Sequence, residues 1–258
     1  MGFLDGFQRK PKPDQEQSKE TVSKESQERG PKVVGTSKGG SELLKYGGKE
    51  FGHTKMGFTE ESMQANMEIR ERHYDEFFGE SDTVLHEVLP LVPHIDVYRY
   101  PPTSTRNFYT YVTGGMSDLP MHSPEETGRD CRRVELVFYS ESENKLYAEW
   151  LRTLAHFPHD NHTWLHWGHT MPNGTPPTPL FGEGPLNTMI FMGSILRPDN
   201  TLGELLSIDS DPVNLVWVVP ITQAECELKL EKGVSAIYDL FDEHKHPHVF
   251  CGQRKSYV

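Results

Sequence analysis

A short stretch of the chain is rich in histidine, a side chain that binds metals and transfers protons near neutral pH. Its histidines are His156, His159, His162, His166 and His169. His162 and His166 are four residues apart, so on a helix they would share one face, as paired zinc ligands do. Catalytic zinc usually has three protein ligands. His169 would be the third here, and Asp160 is the nearby carboxylate.

Two interpretations of the stretch His156–His169 are open. Histidines in aromatic-rich loops often only hydrogen-bond backbone groups, and this interpretation predicts no metal and no cofactor. The alternative is a metal-dependent enzyme that uses this loop, with His162, His166 and His169 as ligands. We favour the first interpretation, because the sequence lacks the H-E-x-x-H motif that joins zinc ligands to a general base.

Ser117 is the serine whose surroundings most resemble those of a nucleophile, since it follows two glycines in Gly114-Gly115-Met116-Ser117. A nucleophile elbow requires glycine two residues after the serine, and Leu119 occupies that position. The segment therefore predicts a turn in which glycine supplies an unusual backbone conformation. Phosphate-binding and dinucleotide-binding glycine motifs are absent as well, so we expect a protein that is not an enzyme.

The 258 residues carry a formal net charge of −12, and the charge is unevenly distributed. Residues 1–50 contain 10 basic and 8 acidic residues, whereas the remainder contains 16 basic and 30 acidic ones. Such an acidic body repels nucleic acid and attracts basic partners. No apolar run is long enough to span a membrane. Three scattered cysteines predict neither a disulfide framework nor a cysteine zinc site, so the expected location is cytoplasmic.

The composition divides the chain into three parts. Residues 1–55 are expected to be a disordered tail, because Val22 is the only hydrophobic residue between Asp14 and Lys32. Residues 56–243 are expected to form one domain, and residues 244–258 a polar C-terminal tail that frays.

The hydrophobic pattern of the domain predicts helices over 59–79 and 144–156, and a capping box at Thr222 and Glu225 opens another. Strand-like runs are found over 94–100, 107–113, 132–139, 187–192 and 214–220. In the third run, alternation is expected to turn Arg133 and Glu135 outward. Neighbouring strands outnumber strand–helix–strand units. The prediction is an α+β fold, a single domain with a mixed, mainly antiparallel sheet packed against helices.

The run from Tyr111 to Met121, Tyr-Val-Thr-Gly-Gly-Met-Ser-Asp-Leu-Pro-Met, resembles a hallmark of the suppressor-of-fused domain family. Further short segments agree with the family in the same order. They are Asp96–Tyr98, Pro101–Thr103, Arg133–Leu136, Leu154-Ala155 with Phe157-Pro158, Trp164-Leu165 with Gly168-His169-Thr170, and Val219–Thr222 with Glu225. The resemblance covers roughly residues 60–243. In size and in sequence it is greatest to bacterial single-domain members of the family.

The resemblance implies a single α+β domain that binds another protein or a peptide and catalyses no reaction. The animal member restrains a transcription factor with the help of a second domain. This chain ends soon after the first domain, so that partnership is not carried over. Bacterial members are thought to act partly as immunity proteins that neutralise toxins, which gives the expected function its most concrete form.

Five residues in the matching segments are candidates for contact with the partner. Tyr111 and Trp167 are large amphipathic side chains of the kind enriched in binding hot spots. Ser117, Asp118 and Glu135 could offer hydrogen-bond acceptors to a basic peptide or toxin. The alternative for Tyr111 is plain packing in the core, and for Asp118 the capping of a helix or turn. We expect neither nucleic acid nor membrane as a partner.

Overall fold

The computed structural model describes residues 30–47, 60–89 and 91–258. The strands are Lys32–Thr36 (β1), Glu42–Lys45 (β2), Thr83–Leu85 (β3), Asp96–Tyr100 (β4), Tyr109–Gly114 (β5), Arg133–Ser140 (β6), Thr170–Pro172 (β7), Leu186–Gly193 (β8), Ser207–Ile208 (β9) and Asp211–Thr222 (β10). The helices are Glu60–Phe78 (α1), Lys145–Asp160 (α2), Leu202–Leu205 (α3), Gln223–Lys232 (α4) and Ser235–Glu243 (α5). None of the helices in these ranges has the length and apolar character to cross a bilayer.

The main sheet has eight strands in the order β3-β4-β5-β6-β10-β8-β7, with β9 paired to β10. β10 runs parallel to β6 and antiparallel to β8, and the remaining pairs of this sheet are antiparallel. Helices pack on both faces of the sheet. The prediction of an α+β domain with a mixed, mainly antiparallel sheet is confirmed.

β10 lies in the middle of the sheet and is buried on both faces, which explains its nearly continuous apolar sequence. Successive side chains of a strand point to opposite faces. Val216 and Val218 pack in the core beneath α2, whose Leu151 belongs to the same cluster. Trp217 and Val219 pack in the core on the other face, which is covered by α1, α4 and α5. The domain therefore has three layers, with the sheet in the middle.

The N-terminal part predicted as a tail over residues 1–55 is ordered where it is described. Residues 1–29 and 48–59 lie outside the described residues. β1 and β2 pair as an antiparallel hairpin. The Gly39 amide donates to the Leu230 carbonyl at 2.8 Å, and the rings of Tyr46 and Phe157 meet edge to face at 4.9 Å. The hairpin is thus docked on the domain, which the low apolar content of this region did not indicate.

The C-terminal residues 244–258, predicted to fray, also pack on the domain. Arg254 donates to the Glu225 carboxylate at 2.6 and 2.8 Å, and the Tyr257 amide donates to it at 3.0 Å. Phe250 exchanges backbone hydrogen bonds with the end of β6, accepting from Glu141 at 3.0 Å and donating to Tyr139 at 2.8 Å. The polar sequence suggested a tail, because the group that holds these residues, the buried Glu225 carboxylate at the start of α4, lies about 30 residues earlier in the chain.

Candidate functional site

Glu135 is the centre of a buried polar network between β6 and the turn that follows β5. Its carboxylate accepts from the Thr113 hydroxyl at 2.6 Å and from the Gly115 amide at 3.0 Å. It also accepts from the amide and the hydroxyl of Ser117, at 2.9 and 2.6 Å. Burial raises the pKa of Glu135 above its ordinary value, and the charge of Arg70 and these hydrogen bonds oppose the rise.

Arg70 reaches this network from α1. It forms a buried ion pair with Asp118, and its Nε lies 3.8 Å from the Glu135 carboxylate. On the other side of the turn, Arg133 donates to the backbone carbonyls of Ser117 and Asp118 at 2.7 and 2.8 Å. Buried charges are tolerated where they are paired and hydrogen-bonded. The turn is therefore fixed by α1 on one side and by β6 on the other.

Gly115 allows this turn to form. Its φ of 119° is a conformation that residues with a Cβ rarely adopt, and a Cβ here would overlap the backbone carbonyl oxygen of His94. The turn was predicted to depend on glycine. The positive φ and the close approach of His94 are the physical reasons for that dependence. Ser117, two residues after Gly115, is buried, and its hydroxyl donates a hydrogen bond to Glu135.

Tyr111 lies on the opposite face of the sheet. Its hydroxyl accepts the backbone N–H of Asn144, the residue that caps α2, at 3.0 Å. Its ring contacts Tyr147 of α2 edge to face at a centroid distance of 5.6 Å. Tyr111 thus fixes the start of α2 against the sheet.

The structure brings three of the five predicted binding residues together and separates the other two from them. Ser117, Asp118 and Glu135 share the buried network, and Tyr111 is buried beneath α2. These four side chains present no surface to a partner, which differs from the direct contact expected. The physical reason is that Arg70 and Arg133, within the domain, provide the positive charge that a basic partner was expected to bring to these groups. Trp167 is the exception, with 50% of its surface exposed.

The histidine-rich stretch does not assemble a metal site. In the described part of the chain, no three His, Cys, Asp or Glu side chains gather in a way that could hold a metal ion. His162 lies beside His122, with 3.3 Å between ring nitrogens. The His166 ring contacts the Trp167 ring at a centroid distance of 4.5 Å and a tilt of 40°, and His169 packs edge to face against Trp164. The set proposed as an alternative, His162, His166 and His169, is therefore not brought around one point.

Two further histidines of the stretch have structural partners. His156 Nε2 lies 2.6 Å from the Glu87 carboxylate, and His159 Nε2 lies 3.1 Å from the Met116 carbonyl oxygen. Both contacts join α2 to segments on the same side of the sheet. The His159 contact agrees with the interpretation in which these histidines hydrogen-bond backbone groups, whereas the partner of His156 is a side-chain carboxylate.

Trp167 stands at the mouth of an open cavity of about 440 Å³, which we call the Trp167 groove. The groove is lined by Trp167, by residues 192–195 at and after the end of β8, by Trp217 of β10, and by α5. Trp217 is buried and forms part of its floor, whereas Ile195 is 60% exposed at its rim. An added Cβ at Gly193 would lie 3.3 Å from the Trp167 ring. Glycine at this position therefore lets the indole lie close to the strand.

α5 contributes another part of the wall of the groove. Tyr238 and Asp242 are four residues apart, so they lie on one face of the helix, and both line the cavity. Tyr238 is 39% exposed and Asp242 is exposed. His246 lines the cavity after the helix, and burial, with the charge of Arg254, lowers its pKa to about 4. At neutral pH His246 is uncharged, so the groove has aromatic and apolar walls and a negative charge.

Sequence reasoning identified Trp167 but missed Ile195, Tyr238 and Asp242. The available signals were weak. Ile195 is an apolar residue just outside a strand, and the spacing of Tyr238 and Asp242 is typical of any helix. Nothing in the sequence shows that α5 and residues 192–195 line the same cavity, because that neighbourhood depends on how β8 and β10 pair.

The fold and the groove define a three-layer α+β domain with an open aromatic cleft, and comparison with known proteins gives its class. The suppressor of fused protein family model matches residues 92–255. The chain belongs to this family. None of the curated proteins matches the sequence significantly.

Solved structures share the fold at low sequence identity. A suppressor of fused homologue from Neisseria gonorrhoeae is 20% identical with a TM-score of 0.56, and the match covers 76% of this chain and 98% of that one. The structure of the Sufu–Fu complex contains a chain that is 16% identical with a TM-score of 0.53, covering 76% of this chain and 92% of that one. At these identities the likeness shows the fold.

Proposed function

We propose that this protein is a non-enzymatic protein-binding module that receives a protein or peptide in the Trp167 groove. The observation that carries the proposal is a half-exposed tryptophan at the mouth of a cleft with a buried aromatic floor. Tryptophan is enriched in hot spots, which form where a well-packed pocket excludes water. One of the solved structures that share this fold is that of the Sufu–Fu complex, which supports protein binding as the mode of action.

In its most concrete form the proposed partner is a basic toxin that this protein neutralises in the cytoplasm. The excess of acidic residues after residue 50 supports a basic partner, because opposite charge speeds association. Tyr111, Ser117, Asp118 and Glu135 contribute to binding from inside the domain, by fixing the sheet and the turn that carry the surface.

A peptide library tests the proposal without knowledge of the natural partner. Random peptides displayed on phage are selected against the full chain, and the enriched peptides are measured on Trp167→Ala and Leu146→Ala. Leu146 is a matched control, since it is 52% exposed but lies on α2, away from the groove. Loss of a hot-spot side chain should weaken binding at least about tenfold. Peptides that bind Trp167→Ala as well as the wild type would refute the groove as the binding site.

A further inference from the structure

Three side chains around the Trp167 groove have unused binding capacity. Trp167 and Tyr238 present aromatic rings, and Asp242 presents a carboxylate. Across residues 30–47, 60–89 and 91–258, neither the Asp242 carboxylate nor the polar atoms of the two rings have a hydrogen bond or ion pair within the chain. Most other charged groups near the core are paired, as Arg254 and Glu225 illustrate. The groove therefore offers a ligand an anion and two partly exposed aromatic rings.

The chemistry that fits such a set is a planar cation. A guanidinium group stacks on aromatic faces and pairs with a carboxylate through two parallel hydrogen bonds. Lysine offers a compact charge without the planar surface, so it uses only part of this arrangement. Ile195, exposed at the rim, would accept an apolar neighbour of the cation in the same peptide.

The charges around the groove favour the same ligand. Asp239 and Glu243 are exposed on α5 next to the lining residues and strengthen the negative potential. His246 contributes no charge at neutral pH, since burial lowers its pKa to about 4. The exposed cations nearest in sequence, Arg197 and Lys245, do not line the cavity.

We propose that the Trp167 groove binds an arginine side chain of a partner peptide, with the guanidinium between Trp167 and Tyr238 and paired to Asp242. Apolar residues beside that arginine pack on Ile195. This inference rests on the proposed function and specifies which residue of the partner enters the groove. The volume of about 440 Å³ lies within the range of pockets that bury small ligands.

The test uses two pools of synthetic pentapeptides with Ala, Leu, Ile or Phe at the outer positions. One pool has arginine at the centre, and the other has citrulline, which has nearly the same shape and no charge. The full chain is incubated with both pools, and retained peptides are quantified by mass spectrometry. The wild type should retain arginine peptides about threefold over citrulline peptides, a modest factor because the Asp242 carboxylate is exposed to solvent.

Matched variants assign the preference to one carboxylate. Asp242→Asn should bring the ratio of the two pools close to one. Asp239→Asn removes the same charge from the same helix outside the cavity and should keep the preference. Equal retention of both pools by the wild type, retention of neither, or a preference that survives Asp242→Asn would overturn the arginine assignment.

The two proposals fail separately. If both pools are retained equally and are lost in Trp167→Ala, the groove binds peptides but does not select arginine. If peptides are retained equally by the wild type and Trp167→Ala, the groove is not the binding site and both proposals fall.

Discussion

Glu135 holds Ser117 twice, since its carboxylate accepts both the backbone amide at 2.9 Å and the side-chain hydroxyl at 2.6 Å. The two residues are 18 apart in sequence and both are fully buried. The double contact locks the turn after β5 to the neighbouring strand β6. It also makes this carboxylate the residue on which the network depends.

Glu135→Gln should destabilise the domain strongly. The amide has a similar shape, but it carries no charge and leaves Arg70 with Asp118 as its remaining carboxylate nearby. Loss of hydrogen bonds to a charged acceptor costs about 1.5–3 kcal/mol. Urea unfolding measures the loss, with Glu141→Gln as a control at an exposed position just beyond the same strand. A stability within about 0.5 kcal/mol of the wild type would mean that the network contributes little.

Gly115→Ala should cost more than Gly128→Ala, although both glycines have positive φ. At Gly128 nothing lies within 4 Å of the added Cβ, so only backbone strain is expected, about 1–3 kcal/mol at a φ of 76° and a ψ of −179°. At Gly115 the Cβ overlaps a backbone oxygen of His94, so the chain must shift as well. We expect an additional loss of about 1–3 kcal/mol in the free energy of unfolding. Equal losses at the two positions would contradict the close approach.

Stability should fall as the pH falls from about 6.5 to about 4. Burial, together with nearby positive charge, lowers the pKa of both His169 and His246 to about 4. The unfolded chain, with ordinary pKa values near 6.5, binds these protons first, so acid favours unfolding in this window. His246→Gln should flatten the dependence of unfolding free energy on pH by up to about one proton. An unchanged slope would show that His246 titrates alike in both states.

The hairpin of β1 and β2 should contribute measurably to stability. Two truncated chains, one starting at residue 30 and one at residue 48, differ only by residues 30–47, which contain the hairpin. Loss of the Tyr46–Phe157 contact and of the Gly39 hydrogen bond should lower the free energy of unfolding by about 1–2 kcal/mol. Identical denaturation curves for the two truncations would show that the docked hairpin is energetically neutral.

Gly193→Val should close the Trp167 groove without unfolding the sheet. The added side chain would press on the Trp167 ring, which is half-exposed and can move aside. Peptides selected on the wild type should then bind more weakly, whereas the melting temperature should change little. Gly35→Val is the control, because it adds the same side chain to a strand where the nearest atom is 3.8 Å away. Retained peptide binding in Gly193→Val would argue against the groove.

Much of the sheet could be predicted from the sequence, because hydrophobic alternation and turn residues are local signals. The runs at 94–100, 107–113 and 132–139 coincide with β4, β5 and β6 within a few residues. The capping box at Thr222 and Glu225 is confirmed, with hydrogen bonds of 3.3 and 2.9 Å. Each of these features is decided by residues close together in the chain.

The polar core could not be predicted, because its partners are distant in sequence. Arg133 and Glu135 were expected to face solvent, yet every residue of β6 is buried. These charged side chains can be buried because Arg70, on helix α1, pairs with Asp118, 48 residues later in the sequence. In the same way, Arg254 and Tyr257 belong to the domain because Glu225 accepts from them. Alternation shows which side chains share a face, but not whether that face is later covered.

The position of β10 has a consequence for folding during synthesis. β4, β5 and β6 pair in the order in which they leave the ribosome, so this meander can assemble early. β8 has β10 and the three-residue β7 as its sheet partners. Among the described strands, the meander ending in β6 is connected to β8 and β7 through β10. Until β10 has emerged, the apolar edges of β6 and β8 are unpaired, which is the condition under which nascent chains aggregate or recruit chaperones. Chain termination before Asp211, where β10 begins, should therefore yield insoluble fragments rather than a smaller folded domain.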